Sequence, residues 1–336
     1  MRSVYIIAEM SANHGGSLER ALEIVRAAKD AGADCIKLQT YTADTITLNA
    51  DTPAFKIEHG LWAGQNLHDL YNQASTPWEW HGRIKEEADN IGIDFLSTPF
   101  DFTAVDFLEQ LNIEAYKISS FELVDIPLLR YIAQKEKPVF LSTGMGTQGE
   151  IQEAVDTILS AGNKKLTLLK CSSAYPADPA HMNLLTIPDM ANRFGLPVGL
   201  SDHSMGHTST LIAVSLGACV IEKHFCLSRK IETPDSKFSM EPKEFSLMVE
   251  LIRTTEKALG SISYGPSEDE KNSLYGRRSI FSSSEIKRGD VFSENNIKIV
   301  RPSLGMHPRD YESIIGKRAA CDIPFATPLT SEMISE

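Results

Sequence analysis

Gly199-Leu-Ser-Asp-His203 and Ile221-Glu-Lys-His-Phe225 each close an apolar stretch, Leu196–Leu200 and Ala218–Ile221, that reads as a buried strand. Each places a histidine where that strand is expected to end. Two imidazoles at neighbouring strand ends can hold one divalent metal and leave positions open for a substrate. Working outward from this pair, short apolar runs alternate with helical patterns from residue 3 to about 260. The strand candidates are Val4–Ala8, Cys35–Gln39, Phe95–Thr98, Ala115–Ile118, Val139–Leu141, Leu166–Leu169, Val198–Leu200 and Cys219–Ile221. After the first, Leu18, Ala21, Leu22, Val25 and Ala28 share one helical face, with Ser17 placed to cap it and Gly32 to stop it. After the fifth, Thr147-Gln-Gly-Glu150 fits a capping box and Gly162 closes the helix. Eight such units predict an α/β fold, a (β/α)8 TIM barrel. A doubly wound open sheet is the alternative, but the chain lacks the glycine fingerprint of a dinucleotide site.

The connection from Tyr41 to Pro77 is unusually long, and loops of that length in a compact domain are usually functional. In a barrel it lies over the C-terminal face, where active sites sit. The domain reading is a catalytic barrel over residues 1–262, a polar, turn-rich linker over 263–278 and a small domain over 279–336. The last carries a weak internal repeat: the stretch Glu285 to Ile297 aligns without gaps on Asp322 to Ile334. That predicts a pseudo-symmetric fold of turns and short strands. So small a domain buries little core of its own and is expected to pack on a barrel, its own or a partner's.

The other strand ends test the metal idea independently. The first ends at Glu9, followed by His14. The second carries Lys37 and Gln39, and the third ends at Thr98. The fourth carries Lys117, then Ser119, Ser120 and Glu122. The fifth ends at Ser142, and the sixth is followed by Ser173 and Tyr175. The seventh ends at Ser201-Asp202-His203 and the eighth at Glu222-Lys223-His224. Taken singly, each has a plain structural reading: a snorkelling lysine, a capping hydroxyl or glutamate, a hydrogen-bonded core histidine. Together they describe a metal beside a pocket for phosphate or carboxylate, built from hydroxyls and two lysines. No Gly-x-Ser-x-Gly and no P-loop is present, which disfavours acyl hydrolysis and nucleotide triphosphate chemistry.

The bulk numbers agree. The net charge of −12, from 33 basic and 45 acidic residues, argues against a general affinity for nucleic acid. No apolar run approaches the roughly 20 residues needed to span a membrane, and Met1-Arg-Ser-Val leads into a strand with no signal peptide. The five cysteines, without Cys-x-x-Cys spacing, read as reduced residues of a cytoplasmic protein.

Several motifs, in order, resemble the sialic acid synthase family: the segments 6–14, 36–41, Ser97-Thr-Pro-Phe100, 116–122, 141–145, 199–203 and 222–225. The resemblance covers almost the whole chain. Val300-Arg-Pro302 and Ile315-Gly-Lys317 resemble the family's antifreeze-like (SAF, β-clip) domain. Ser11-Ala-Asn-His14, Gln39-Thr-Tyr-Thr-Ala-Asp44, Gly60-Leu-Trp62 and Thr76-Pro-Trp-Glu-Trp-His81 are similar to the branch that uses 2,4-diacetamido-2,4,6-trideoxy-L-altrose.

The resemblance implies a transferase of carbohydrate biosynthesis that condenses phosphoenolpyruvate with the open-chain sugar and releases phosphate. It implies a divalent metal, usually Mn2+ with Mg2+ or Co2+ as alternatives, held by His203 and His224. Lys37, Thr98, Lys117, Ser120, Ser142, Ser173 and Ser201 would grip phosphoenolpyruvate, Ser173 standing where sialic acid synthases tend to have asparagine. Gln39, Glu122, Tyr175 and Asp235 would face the sugar, and Glu9 and Glu222 would handle water or the aldehyde proton. Arg301 matches a residue that, in the family, reaches the partner's site in a head-to-tail, domain-swapped homodimer. The rival readings are an N-acetylneuraminate or legionaminate synthase, a metal-dependent sugar isomerase or epimerase, and a non-catalytic carbohydrate-binding protein.

Overall fold

Eight parallel strands pair in chain order: β1 (Tyr5–Glu9), β2 (Cys35–Thr40), β3 (Asp94–Pro99), β4 (Tyr116–Ile118), β5 (Val139–Ser142), β6 (Leu166–Cys171), β7 (Val198–Asp202) and β8 (Val220–His224). β1 pairs with both β2 and β8, so the sheet closes into a (β/α)8 TIM barrel. The computed structural model describes residues 3–335. The chain divides into two compact units, Met1–Gly260 and Ser261–Glu336.

Side chains alternate across each strand. Ile6, Ala8, Ile36, Leu38, Ile118, Leu141, Leu168, Leu200 and Ile221 point outward and are buried under the surrounding helices. Each such side chain contributes about 1.5–3 kcal/mol by leaving water. The inward set is apolar only at the bottom, where Ile7, Cys35, Leu96, Leu169 and Val220 pack together. One pleat higher the same strands turn polar, with Glu9, Lys37, Thr98, Lys117, Ser142 and Glu222, all buried. The sheet thus sorts each strand into a packed floor and a polar top layer.

The helices begin and end where local chemistry directs. Ser17 accepts the Arg20 N–H at the start of Leu18–Asp30, and Thr147 and Glu150 form a reciprocal capping box on Gln148–Ser160. The long connection after β2 is more ordered than a loop: it holds short helices at Ala43–Ile46 and Leu67–Ala74. Asn66 caps the second of these. Two buried histidines flank the connection. His81 Nε2 lies 2.8 Å from Thr40 Oγ1, and His14 Nε2 lies 3.2 Å from Thr76 Oγ1.

Gly199 in β7 is required by close approach. A Cβ there would lie 2.5 Å from the Val220 carbonyl oxygen and 2.8 Å from Leu169 Cδ2. Any side chain would push β7 away from β8.

The second unit has its own core, including Ile280, Ile286, Phe292, Ile297, Ile323 and Leu329. The repeat is visible in its backbone. Ile286 and Ile323, equivalent positions, bond to each other in both directions at 2.9 and 2.7 Å. β9 (Ser279–Ser282) pairs with β10 (Ile297–Val300), as β11 (Arg318–Ala319) pairs with β12 (Ile334–Ser335). Gly289 and its counterpart Ala326 both take left-handed backbone, at φ 87° and 61°. Tyr275, inside the stretch expected to be linker, accepts the Ser303 N–H at 3.0 Å. Among the described residues no helix is long and apolar enough to cross a membrane.

Candidate active site

The polar top layer gathers at the C-terminal ends of the strands. β7 and β8 run longer than their apolar stretches predict, through Asp202 and His224, and set three successive rungs. Ser201 Oγ donates to Glu222 Oε1 at 2.8 Å inside the barrel. Lys223 Nζ donates to Asp202 Oδ2 at 2.8 Å on the outer side. The imidazoles of His203 and His224 then face each other inside, 5.3 Å between centroids. The outer rung is completely hydrogen-bonded. Asp202 also accepts from Ser204 N–H, Ser204 Oγ and Thr210 Oγ1, and Lys223 also donates to the Ser204 carbonyl. A buried ion pair satisfied on all sides can hold a strand register, because any slip strands a charge.

Lys37 and Lys117 are both 3% exposed, so neither snorkels. Lys37 contacts Glu9 directly, lies 3.8 Å from Glu222 and donates to Thr98 Oγ1 at 3.3 Å. Lys117 lies 3.5 Å from Glu222. Burial pushes the Glu9 carboxyl well above the usual carboxylate range, with the Glu222 charge adding to it and Lys37 opposing. Burial acts on Glu222 too, but Lys117, Lys37 and the Ser201 hydroxyl outweigh it and hold that carboxyl low. The two lysines are therefore matched by two glutamates, and an incoming anion must draw the ammonium groups away from those carboxylates.

The hydroxyls of Ser142, Ser120 and Ser201 complete the wall. Gly144 lets them converge. Its N–H donates to Ser120 Oγ at 3.0 Å, and a Cβ there would lie 2.3 Å from Ser173 Oγ and 2.7 Å from Ser120 Oγ. A half-open pocket of about 50 Å3 is lined by Lys37, Gln39, Thr98, Lys117, Ser120, Ser142, Tyr175, Ser201, His203, Glu222 and His224, with Ser119, Phe121 and Cys171. Glu9 sits against it, bonded to Gln39 Nε2 at 3.3 Å. Glu122 is bonded to Ser119, and Asp235 to the Ala12 N–H at 3.1 Å; neither lines this space. Arg301 is an exposed residue of the other unit. His14 is buried against Thr76, and His181 is exposed.

The sequence reading missed Cys171, whose Sγ lies 3.7 Å from His203 Nδ1. It stands at the inward end of β6, and the only signal was its alternation with the outward Leu168. The reading also missed the Asp202–Lys223 rung and Gly144. A larger cleft, about 440 Å3, opens at the opposite, N-terminal mouth beside Tyr5, Cys35 and Phe140. Its polar groups are engaged with one another, Tyr5 with Asp94 and Lys85 with Asp89, so the chemistry belongs to the smaller site.

The two histidines fit a divalent metal. His203 Nδ1 lies 3.1 Å from the Ser172 carbonyl, which leaves Nε2 as the available donor. His224 is held neutral, first by burial and then by the positive groups around it, and its buried Nδ1 has no hydrogen-bond partner. Among the described residues no cluster of three His, Cys, Asp or Glu forms, so a metal here would keep most of its coordination positions for substrate and water. Five buried side-chain atoms among the described residues lack a hydrogen bond. Four of them are in this site: Glu9 Oε2, which is ion-paired with Lys37, and Ser142 Oγ, Glu222 Oε2 and His224 Nδ1. Buried polar atoms left open together mark a place built to receive a polar ligand.

Comparison with known proteins agrees with the geometry. Residues 24–264 match the NeuB family and residues 277–335 the SAF domain. A pseudaminic acid synthase from Campylobacter jejuni subsp. jejuni serotype O:23/36 is 47% identical over 98% of this chain and 96% of its own. An N,N'-diacetyllegionaminic acid synthase from Legionella pneumophila is 36% identical over 98% of this chain and 94% of its own. An N-acetylneuraminic acid (sialic acid) synthetase from Leptospira borgpetersenii, solved with citrate, superposes with a TM-score of 0.73 at 31% identity, covering 81% of this chain and 90% of that one.

Proposed function

The chain belongs to the NeuB family, and from that membership we propose that it is a pseudaminic acid synthase. It condenses phosphoenolpyruvate with 2,4-diacetamido-2,4,6-trideoxy-L-altrose to give a nonulosonic acid and phosphate. The observation that carries this reading is the gathering, in one strand-end layer, of two lysines, two facing imidazoles and buried atoms of Ser142, Glu222 and His224 that lack a hydrogen bond. The legionaminic acid relative at 36% identity makes another N-acetylated hexose the second reading.

Lys37 and Lys117 neutralise the carboxylate and phosphate of phosphoenolpyruvate, each released in part from its glutamate. Thr98, Ser120, Ser142, Ser173 and Ser201 supply hydroxyl partners. Gln39, Tyr175, Glu122 and Asp235 face the sugar. C3 of phosphoenolpyruvate attacks the aldehyde carbon, water adds at C2, and the tetrahedral product expels phosphate. Glu9 and Glu222 handle the water and the aldehyde proton. His203 and His224 would hold a divalent metal, Mn2+ by preference, which when bound would supply Lewis acidity toward the aldehyde.

A homodimer completes the reading. Phe121, Val124, Met145, Leu185 and Met205 are exposed on the loops after β4 to β7, an apolar rim that a second copy can cover while presenting its Arg301. Free cysteines among the described residues support a cytoplasmic setting.

The test is phosphate release from phosphoenolpyruvate with Mn2+, offering the altrose derivative or N-acetylmannosamine, with an EDTA control. Release with the altrose alone, lost in EDTA, is expected. Release with N-acetylmannosamine alone overturns the sugar assignment. No release with either overturns both sugar assignments and brings forward the legionaminate-type hexose of the relative at 36% identity, or the isomerase.

A further inference from the structure

Trp62 reaches across the mouth of the barrel. It stands in the connection after β2, yet its indole N–H donates to the carbonyl of Pro234, after β8, at 3.1 Å. Its ring lies 5.7 Å from Tyr175 and 6.4 Å from Phe238. Those two rings back onto the histidines: Tyr175 lies 4.5 Å from His203, and Phe238 lies 4.9 Å from His224. Three aromatic rings therefore make one continuous wall over the histidine pair. The rest of the site is lysine, carboxylate and hydroxyl.

Apart from the Tyr175 phenol, the wall offers little to a sugar hydroxyl. Trp62 commits its single donor to Pro234, and Phe238 has none. An alcohol placed against these faces loses its water without a replacement partner, whereas a methyl group gains by leaving water. The half-open pocket beneath is about 50 Å3, room for only a few waters at about 10–15 Å3 each, so a bound hexose extends out of it past Tyr175 toward these rings. Trp62 is the wall residue that the connection after β2 contributes.

We propose that Trp62 is a specificity-determining residue whose indole face takes the C6 methyl group of a deoxy sugar and discriminates against the 6-hydroxylated counterpart. The inference rests on the reading above that the acceptor is a 6-deoxy diacetamido hexose. The physics sets its scale: an apolar pocket rejects an added hydroxyl by about 100-fold at most.

The experiment measures kcat/KM for the trideoxy sugar and for its 6-hydroxy counterpart, at saturating phosphoenolpyruvate with Mn2+, in the wild type and in Trp62→Phe and Trp62→Ala. The wild type is expected to prefer the deoxy sugar. Trp62→Ala should lower that preference about tenfold, chiefly through a higher KM for the deoxy sugar, the size of effect one methyl-sized contact supplies. Trp62→Phe keeps an apolar face but loses the N–H, so it should retain most of the preference. An unchanged KM for phosphoenolpyruvate reports an intact barrel. A Trp62→Ala variant that loses both sugars in equal proportion, or neither, overturns the inference while leaving the synthase reading standing. A wild type that uses neither sugar overturns the acceptor reading and the inference with it.

Discussion

Replacing Lys223 by methionine isolates the outer rung between the two histidine-bearing strands. Lys223 is 1% exposed, and its ammonium donates to Asp202 Oδ2 at 2.8 Å and to the Ser204 carbonyl at 2.7 Å. Methionine follows much the same path and opens little cavity, so the loss is one of charge. Asp202 is left as a buried carboxylate with the Ser204 N–H at 2.8 Å, Ser204 Oγ at 2.7 Å and Thr210 Oγ1 at 2.9 Å. Removing one partner of a buried pair costs about 3–5 kcal/mol, and three surviving donors place the expected loss near the lower bound, about 3 kcal/mol. Changing Asp202 to asparagine in the same chain removes the stranded charge and keeps an oxygen for those donors. Because neutral replacements of buried pairs are often tolerated, the double variant should lie within about 1 kcal/mol of wild type. Urea unfolding of EDTA-treated protein, followed by circular dichroism, measures both without metal masking the difference. A single variant as stable as wild type, or a double variant as unstable as the single, would refute the view that charge compensation holds this rung.

Further expectations are as direct. Gly199→Ala places a methyl 2.5 Å from the Val220 carbonyl oxygen, and overpacking of this kind costs about 1–3 kcal/mol, seen as a lowered thermal midpoint. Burial holds both His14 and His81 at about 4, below the ordinary 6.5. The unfolded chain takes up these protons near pH 6.5 and the folded chain only near 4. Stability should therefore be full above that window and fall as pH drops through it, by about 1.4 kcal/mol per pH unit for each histidine. A urea midpoint that stays constant across the window contradicts this. Ala326→Gly relieves a φ of 61° and should stabilise the second unit by about 0.5–1 kcal/mol, read as slower amide exchange at Ile323. His224→Ala should abolish phosphate release and weaken Mn2+ binding in calorimetry; near-normal rates in metal-stripped buffer would sink the metal assignment.

The barrel was legible because each strand opens with an apolar outward face. Ile6 and Ala8, Ile36 and Leu38, and Leu166 and Leu168 announce strands whatever their inward neighbours do. The strand ends were not legible, since the apolar run stops where the inward face turns polar. β8 therefore looked finished at Ile221, although it continues through Glu222, Lys223 and His224. Lys223 was hidden for a related reason: beside two site residues, an outward buried lysine reads as one more polar group at the mouth. Its partner becomes evident only when the strand register is known. The polar cluster itself was readable as a list, and the structure brings most of that list around one space. The pairing of Lys37 and Lys117 with Glu9 and Glu222 was not readable, because it depends on distances across the barrel. In the second unit the aligned repeat foreshadowed the mutual bonding of Ile286 and Ile323. It gave no hint that Ala326 would adopt the backbone of its glycine counterpart.

The segment that carries Trp62 has an optical consequence. The chain has three tryptophans, Trp62, Trp78 and Trp80, all between β2 and β3. Trp62 lies tilted against Tyr175 at 5.7 Å, Trp78 bonds to the Tyr41 carbonyl at 3.2 Å, and Trp80 meets His14 edge-on at 5.6 Å. Red-edge excitation therefore illuminates this connection and its flanking helix alone, while the remaining barrel and the second unit stay dark. Without any label, the intrinsic emission becomes a stopped-flow record of this connection's surroundings as each substrate arrives.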